Sequence, residues 1–198
     1  MPPRPHPARD LREACVDQAL AIIGDVGLEA LSIREVARRL GVSHQAPYKH
    51  FPSSDHLLAE VVRRTYRQFS EHLEARPRSS HPGEDLKSMG EAYLRFAIDH
   101  PLHYRLLFGT PLPDPAAHPE MMAEARRAFQ LLHEAIGHLK PPTSETDRQL
   151  DALFVWATVH GLATILQTAA LDQIGLDKVV LAEALPHALH RIGKALAP

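Results

Sequence analysis

The chain of 198 residues has one cysteine, Cys15, and no run that approaches the roughly 18 consecutive apolar residues of a membrane-spanning helix. A single cysteine excludes an intrachain disulfide and any zinc site built on several thiolates. The first ten residues are rich in proline and arginine and lack the apolar stretch of a signal peptide. These absences predict a protein of the reducing cytoplasm with no membrane partner.

Signatures of enzymes are absent as well. The sequence contains no nucleophile elbow, phosphate-binding glycine loop or metal-ligand helix motif. Histidine is abundant, at 14 residues, and His100/His103 and His187/His190 form two pairs, but no carboxylate or cysteine completes either pair as a metal site. We therefore predict no catalytic residue, metal or cofactor, and an all-α metal-dependent enzyme is only a remote alternative.

The charge is distributed unevenly along the chain. Residues 1–70 carry 10 Lys and Arg against 8 Asp and Glu, whereas residues 71–198 carry 12 against 16. A mildly basic N-terminal part on an acidic body is compatible with nucleic-acid binding at one end of the protein.

Apolar residues recur at helical spacing almost throughout, and no Asn-Gly or Asp-Gly hairpin turn occurs, so the sequence predicts an all-α fold of about nine helices. Gly27 ends the first helix. Ser32 and Glu35 have the spacing of a capping box, in which each side chain bonds the backbone N–H of the other residue. Gly41 then ends this second helix after two turns, and Ser43 is the expected N-cap of a third helix that ends near residue 50.

Segment 32–51 therefore has helix-turn-helix geometry, and its short second helix has the right size for the major groove of DNA. Polar side chains gather at this second helix. Gln suits a bidentate contact to adenine, whereas Ser, Tyr and Lys suit phosphates. An ordinary surface hairpin of two helices is the alternative on spacing alone.

The stretch LSIREVARRLGVSHQAPYKHFPSSDHLL, residues 31–58, closely resembles the N-terminal domain of TetR/AcrR-type transcriptional regulators. The resemblance implies a three-helix DNA-binding domain at residues 9–56, joined by a linking helix to an effector-binding and dimerisation bundle at residues 57–198. It also implies DNA contacts from eight residues: Ser32, Arg34, Ser43, His44, Gln45, Tyr48, Lys49 and His50. Pro47 departs from the pattern and predicts a recognition helix that starts late or tilts.

The strings 96–105 and 156–161 resemble the C-terminal domains of the subset of this family with a Trp-x-x-x-His-Gly motif. Aromatic and methionine residues cluster around them beside a few polar groups, as in the wall of an apolar pocket, although plain core packing is the alternative. We predict a small apolar or aromatic effector near ten residues: Met89, Tyr93, Phe96, His100, Tyr104, Phe108, Met122, Phe129, Trp156 and His160.

The last two long helices are expected to form a homodimer, as the resemblance implies. Small residues at three- and four-residue steps let a second helix approach closely, and the next helix supplies apolar side chains. The predicted interface consists of Ala157, Gly161, Thr164, Thr168, Leu185, Ala188 and Ile192.

The resemblance thus implies a repressor that a small-molecule inducer releases from a pseudo-palindromic double-stranded DNA operator. An activator, or a DNA-binding or architectural protein without an effector, is the alternative. The dimer would have one geometry that fits the operator and one that does not. The inducer must bind these two geometries with different affinity, because otherwise it does not shift the equilibrium between them.

Overall fold

The computed structural model describes residues 8–139, 144–168 and 171–196. Within these ranges the chain forms nine α-helices, two short 3₁₀ turns and no β-strand, which confirms the all-α prediction. The α-helices are α1 Ala8–Val26, α2 Ile33–Leu40, α3 Ser54–Glu74, α4 Pro82–Asp99, α5 Pro101–Phe108, α6 Pro119–Leu139, α7 Glu145–Leu166, α8 Leu171–Ile174 and α9 Lys178–Leu196. The 3₁₀ turns are Leu28–Ala30 and Pro47–Lys49.

The described residues divide into two compact units, whose boundaries fall inside α3, α5 and α6. The first unit consists of residues 8–66 and 105–125, and the second of residues 67–104 and 126–196. The first contains α1, α2 and the 3₁₀ turn Pro47–Lys49, which the sequence assigns to DNA binding.

The predicted helix ends of the first unit are present. Gly27 has φ +94° and donates its N–H to the Ile23 carbonyl, and Gly41 has φ +67° and ends α2 in the left-handed conformation. Ser32 Oγ accepts from the Glu35 backbone N–H at 3.1 Å, as predicted. The second half of the capping box differs, because the Glu35 carboxylate bonds Arg38 and Arg39 one turn further along α2.

The recognition segment, by which we mean residues 43–50, also differs from the sequence prediction. In place of an α-helix capped by Ser43, residues 44–46 form a turn and Pro47–Lys49 a 3₁₀ turn whose N-cap is Ala46, with no side-chain bond at that cap. The physical reason is Pro47, which has no N–H to donate to residue 43 and whose ring crowds the preceding turn. Pro47 is itself buried, so its ring anchors the segment in the unit.

Helices α4, α7 and α9 pack against one another in the second unit. Gly90 on α4 lets α9 come close, because a Cβ at this position would lie 2.5 Å from Leu189 Cδ2. The buried face of α7 consists of Ala152, Val155, Val159 and Ala163.

A buried ion pair fixes the connection between α3 and α4. The Arg76 side chain is 1% exposed; it donates to the Leu73 carbonyl at 2.7 Å and to Asp85 Oδ2 at 2.7 Å. The first bond satisfies a carbonyl at the C-terminal end of α3, and the second ties the connector to the first turn of α4.

Helix α7 carries apolar side chains on a second face. Leu150, Leu153, Phe154 and Ile165 are each about half exposed within one chain. An 18-residue window of this helix has a mean hydropathy of 1.3, so by length and composition alone α7 would be able to cross a membrane. The sequence contains no unbroken apolar run there, because Thr158 and His160 interrupt it.

Candidate nucleic-acid interface and effector site

Four of the predicted DNA-contacting residues lie together on the surface of the first unit. Arg34 on α2 and His44, Gln45 and Tyr48 in the recognition segment line one open concavity of about 670 Å³. All four side chains are exposed. The short turn after Gly41 brings the start of α2 beside the recognition segment, so a guanidinium, an imidazole, an amide and a phenol point toward one surface.

The other four predicted DNA-contacting residues are close in sequence to the residues that line this concavity. Ser43 and Lys49 are exposed, and His50 is half-buried. Ser32 already accepts the α2 cap bond, and its hydroxyl hydrogen can still be donated, for example to a phosphate.

A carboxylate on α2 holds two neighbouring arginines. Hydrogen bonds from Arg38 and then Arg39 lower the pKa of Glu35 to about 2, so this carboxylate is ionised at neutral pH. Arg39 also pairs with Asp25 at 2.7 Å, which joins α2 to the end of α1. The sequence alone does not indicate the pairing of Arg39 with Asp25, because Asp25 lies 14 residues away.

Four of the predicted effector residues form a hydrogen-bonded cluster in the second unit. The Tyr93 and Tyr104 hydroxyls lie 3.0 Å and 2.8 Å from His160 Nδ1, and Trp156 Nε1–H donates to the Tyr93 hydroxyl at 3.4 Å. Tyr93 and Tyr104 are buried, whereas Trp156 and His160 are half-buried. We call these four residues the tyrosine–histidine cluster.

Burial lowers the pKa of His160, so its imidazole is neutral at pH 7. A neutral ring carries one proton, and Nδ1 can accept from a tyrosine hydroxyl only when that proton is on Nε2. With the proton on Nδ1 instead, the ring donates to a tyrosine hydroxyl oxygen, so either neutral tautomer of His160 can bond the tyrosines.

Aromatic rings extend from this cluster. Phe96 lies 5.0 Å from the His100 ring, and Phe129 lies 6.1 Å from Trp156, both measured between ring centroids. Met89 is buried on α4, and His100 is exposed. Phe108 and Met122 belong to the first unit, and the other eight predicted residues belong to the second: Met89, Tyr93, Phe96, His100, Tyr104, Phe129, Trp156 and His160.

The predicted dimer residues differ in their exposure. Ala157, Thr164 and Thr168 are exposed, and a Cβ added to Gly161 would meet no atom within 4 Å. Leu185 and Ala188 are half-buried. Ile192 is 2% exposed and packs in the interior of its own chain.

In the part of the chain that the structure describes, no group of three or more His, Cys, Asp or Glu side chains has the arrangement of a metal site. The pair His100/His103 is separated by 5.7 Å between ring centroids. Cys15 is buried in the first unit, and burial raises the pKa of its thiol.

Two family signatures match the chain. That of bacterial regulatory proteins of the tetR family matches residues 16–61, and that of tetracyclin repressor-like C-terminal domains matches residues 86–189. The second match covers more than half of the chain and includes the whole tyrosine–histidine cluster.

Individual proteins agree with these matches. A helix-turn-helix-type transcriptional regulator of Mycobacterium tuberculosis is 26% identical over 175 residues, which are 88% of this chain and 78% of that protein. The class C tetracycline repressor protein of Escherichia coli is 47% identical over 47 residues, 24% of this chain and 22% of the repressor. A solved structure of a protein of unknown function from Rhodococcus sp. RHA1 superposes with a TM-score of 0.79 at 25% identity, covering 100% of both chains.

Proposed function

Because the chain belongs to the TetR family of bacterial transcriptional regulators, we propose that it is a repressor that a small-molecule inducer releases from a pseudo-palindromic operator. The observation that carries the DNA-binding part is the exposed concavity formed by Arg34, His44, Gln45 and Tyr48. The relatives of the chain are transcriptional regulators and not enzymes. The proposed target of the protein is a DNA operator, so we place the protein in the cytoplasm.

The division of labour that we propose follows the sequence prediction. Residues 9–56 bind DNA, and residues 57–198 bind the effector and a second copy of the chain. Gln45 and His44 read base edges, because their side chains are exposed on the recognition segment. Ser32, Arg34, Ser43, Tyr48, Lys49 and His50 contact phosphates, which position the protein on the duplex.

Gln45→Ala and Lys49→Ala are expected to weaken DNA binding in different ways. Loss of the Gln45 amide should cost about 1–3 kcal/mol on the operator and relax discrimination at one base position. Loss of the Lys49 ammonium should weaken binding to every duplex similarly and flatten the salt dependence by about one unit. Fluorescence anisotropy on the operator and on random DNA, at several salt concentrations, separates the two effects. Equal losses on both duplexes for Gln45→Ala would remove it from base reading.

The effector that we propose is a small, largely apolar or aromatic molecule beside the tyrosine–histidine cluster. Buried apolar rings would cover most of its surface, and the few hydroxyl and imidazole groups would orient it. Such a molecule favours operator release only if it binds the released geometry more tightly, with a typical coupling of about 1–3 kcal/mol.

Trp156 provides a direct test, because it is the only tryptophan of the chain. A panel of small aromatic compounds, such as indole, 1-naphthol and salicylate, is titrated against the protein–operator complex. Any compound that releases the operator is expected to change the Trp156 fluorescence over the same concentration range. Tyr93→Phe, which removes one hydroxyl of the cluster, should shift both titrations together. A compound that releases operator while the Trp156 emission stays constant would place the effector elsewhere.

A further inference from the structure

A second polar cluster lies in the first unit, at the start of α3. Ser53 caps this helix, since its Oγ accepts from the His56 backbone N–H at 3.3 Å and lies 2.9 Å from His56 Nδ1. In the same turn, Asp55 Oδ2 lies 2.6 Å from His118 Nε2. The imidazole of His118 also meets that of His56 edge-on, at 5.1 Å between ring centroids.

His118 is placed to constrain Asp55. It is the residue before α6, and it is 8% exposed, whereas the Asp55 side chain is 55% exposed. An ionised carboxylate only accepts hydrogen bonds, so the imidazole N–H must donate. The histidine is the more buried partner, and the bond holds the more exposed carboxylate against it.

The start of α3 lies very close in the chain to the recognition segment. Residues 50–53 separate the 3₁₀ turn from α3, and this link has little freedom. Phe51 donates its N–H to the Pro47 carbonyl and is 2% exposed, with the Arg12 guanidinium 5.4 Å above its ring. Pro52 has a fixed φ angle. Any shift in the first turn of α3 therefore moves the end of the recognition segment.

Apolar packing does not fill the space beside this link. An open cavity of about 270 Å³ lies there, bounded among others by His50, Phe51, Ala59, His118 and Met121. Side chains on one side of the link border this cavity. Close packing alone therefore does not set the position of the link. A directional polar bond supplies the missing constraint.

We infer that His118 is a positioning residue for DNA recognition: by holding Asp55, it fixes the first turn of α3 and thereby the orientation of the recognition segment. This role rests on the proposed DNA-binding function and goes beyond it, because His118 lies 68 residues after His50 in the sequence and outside the segment that resembles a DNA-binding domain.

The test measures the operator affinity of full-length His118→Ala, Asp55→Asn and the double variant. Each single change is expected to weaken operator binding about tenfold, and the double variant should bind no more weakly than either one. The direction in which Asp55→Asn changes the operator affinity distinguishes lost positioning from a simple charge effect. Removing a negative charge from a DNA-binding surface by itself strengthens binding to any duplex, so a loss of affinity points to lost positioning.

Two further variants separate positioning from general stability. His118→Gln places an amide N–H near the position of Nε2 and should retain an affinity within about twofold of the wild type. His138→Ala, at an exposed histidine of α6, is the matched control and should bind normally. Urea unfolding establishes that each variant is folded under the binding conditions, where a purely structural role would leave the affinity unchanged.

The inference fails if His118→Ala binds the operator like the wild type, if the two single losses add in the double variant, or if Asp55→Asn binds more tightly. A wild-type protein that binds no duplex selectively would instead refute the proposed function.

Discussion

Gly161→Arg is expected to convert the proposed dimer to monomers and to lower operator affinity by roughly 100-fold or more, because two half-sites are then no longer bound together. Within one chain, a Cβ at position 161 would meet no atom within 4 Å, so we expect the substitution to leave the fold of the monomer intact. Across a closely packed interface of helices, however, a buried arginine without a partner is strongly unfavourable. Light scattering measures the oligomeric state, and anisotropy measures the affinity.

The same experiment includes two comparison variants. Ala157→Arg introduces the same charge one turn earlier on α7, at an exposed residue, and should also give monomers. Ala123→Arg introduces it at an exposed residue of α6 that belongs to the first unit, and should leave the dimer intact. If Gly161→Arg and Ala157→Arg both remain fully dimeric, α7 does not form the interface.

Arg76→Ala is expected to lower the free energy of unfolding by about 3–5 kcal/mol, because it leaves the Asp85 carboxylate partly buried without its main partner. The control is Arg78→Ala. Arg78 approaches the same carboxylate at 3.7 Å, but its side chain is 63% exposed. Its loss should cost only about 1 kcal/mol or less. Urea denaturation near neutral pH measures both, and equal losses would contradict the importance of burial.

The contribution of Arg76 to the free energy of unfolding should also depend on pH. Burial is the largest single influence and raises the pKa of Asp85, but the hydrogen bond and charge of Arg76, the Ser79 backbone N–H and the charge of Arg78 together outweigh it, so the net pKa is below the usual value. A carboxyl with a lowered pKa in the folded state stabilises the fold above its unfolded pKa and loses that contribution as pH falls through the folded value. The stability difference between wild type and Arg76→Ala should therefore shrink below about pH 4.

Local features of the fold could be predicted from the sequence, since they depend on neighbouring residues. The Ser32 hydroxyl caps α2, and the left-handed conformation of Gly41 ends it. Both residues bond backbone groups that are no more than four residues away. The exposure of Gln45 and Tyr48 followed from the motif. The α-helix capped by Ser43 was wrongly predicted, whereas the late start that Pro47 predicts agrees with the 3₁₀ turn Pro47–Lys49.

Interactions between distant residues were beyond sequence reasoning. Asp55 and His118 are 63 residues apart, and nothing in either local pattern indicates that the two side chains meet. The aromatic residues near Trp156 were identified, but their hydrogen bonds were not, because the positions of Tyr93 and Tyr104 around His160 depend on how three helices pack. Periodicity identifies which face of a helix is buried, but not which residue lies opposite.

The 3₁₀ turn at Pro47 also limits how much of an operator one protomer reads. Three residues of 3₁₀ helix advance about 6 Å along the axis, whereas successive base pairs of B-DNA are about 3.4 Å apart. The proposed base-reading residues His44 and Gln45 directly precede this turn, and Tyr48 lies within it. We therefore expect a half-site with sequence information concentrated in about two base pairs. Selectivity across the rest of the operator would come from the flexibility and groove width of the DNA.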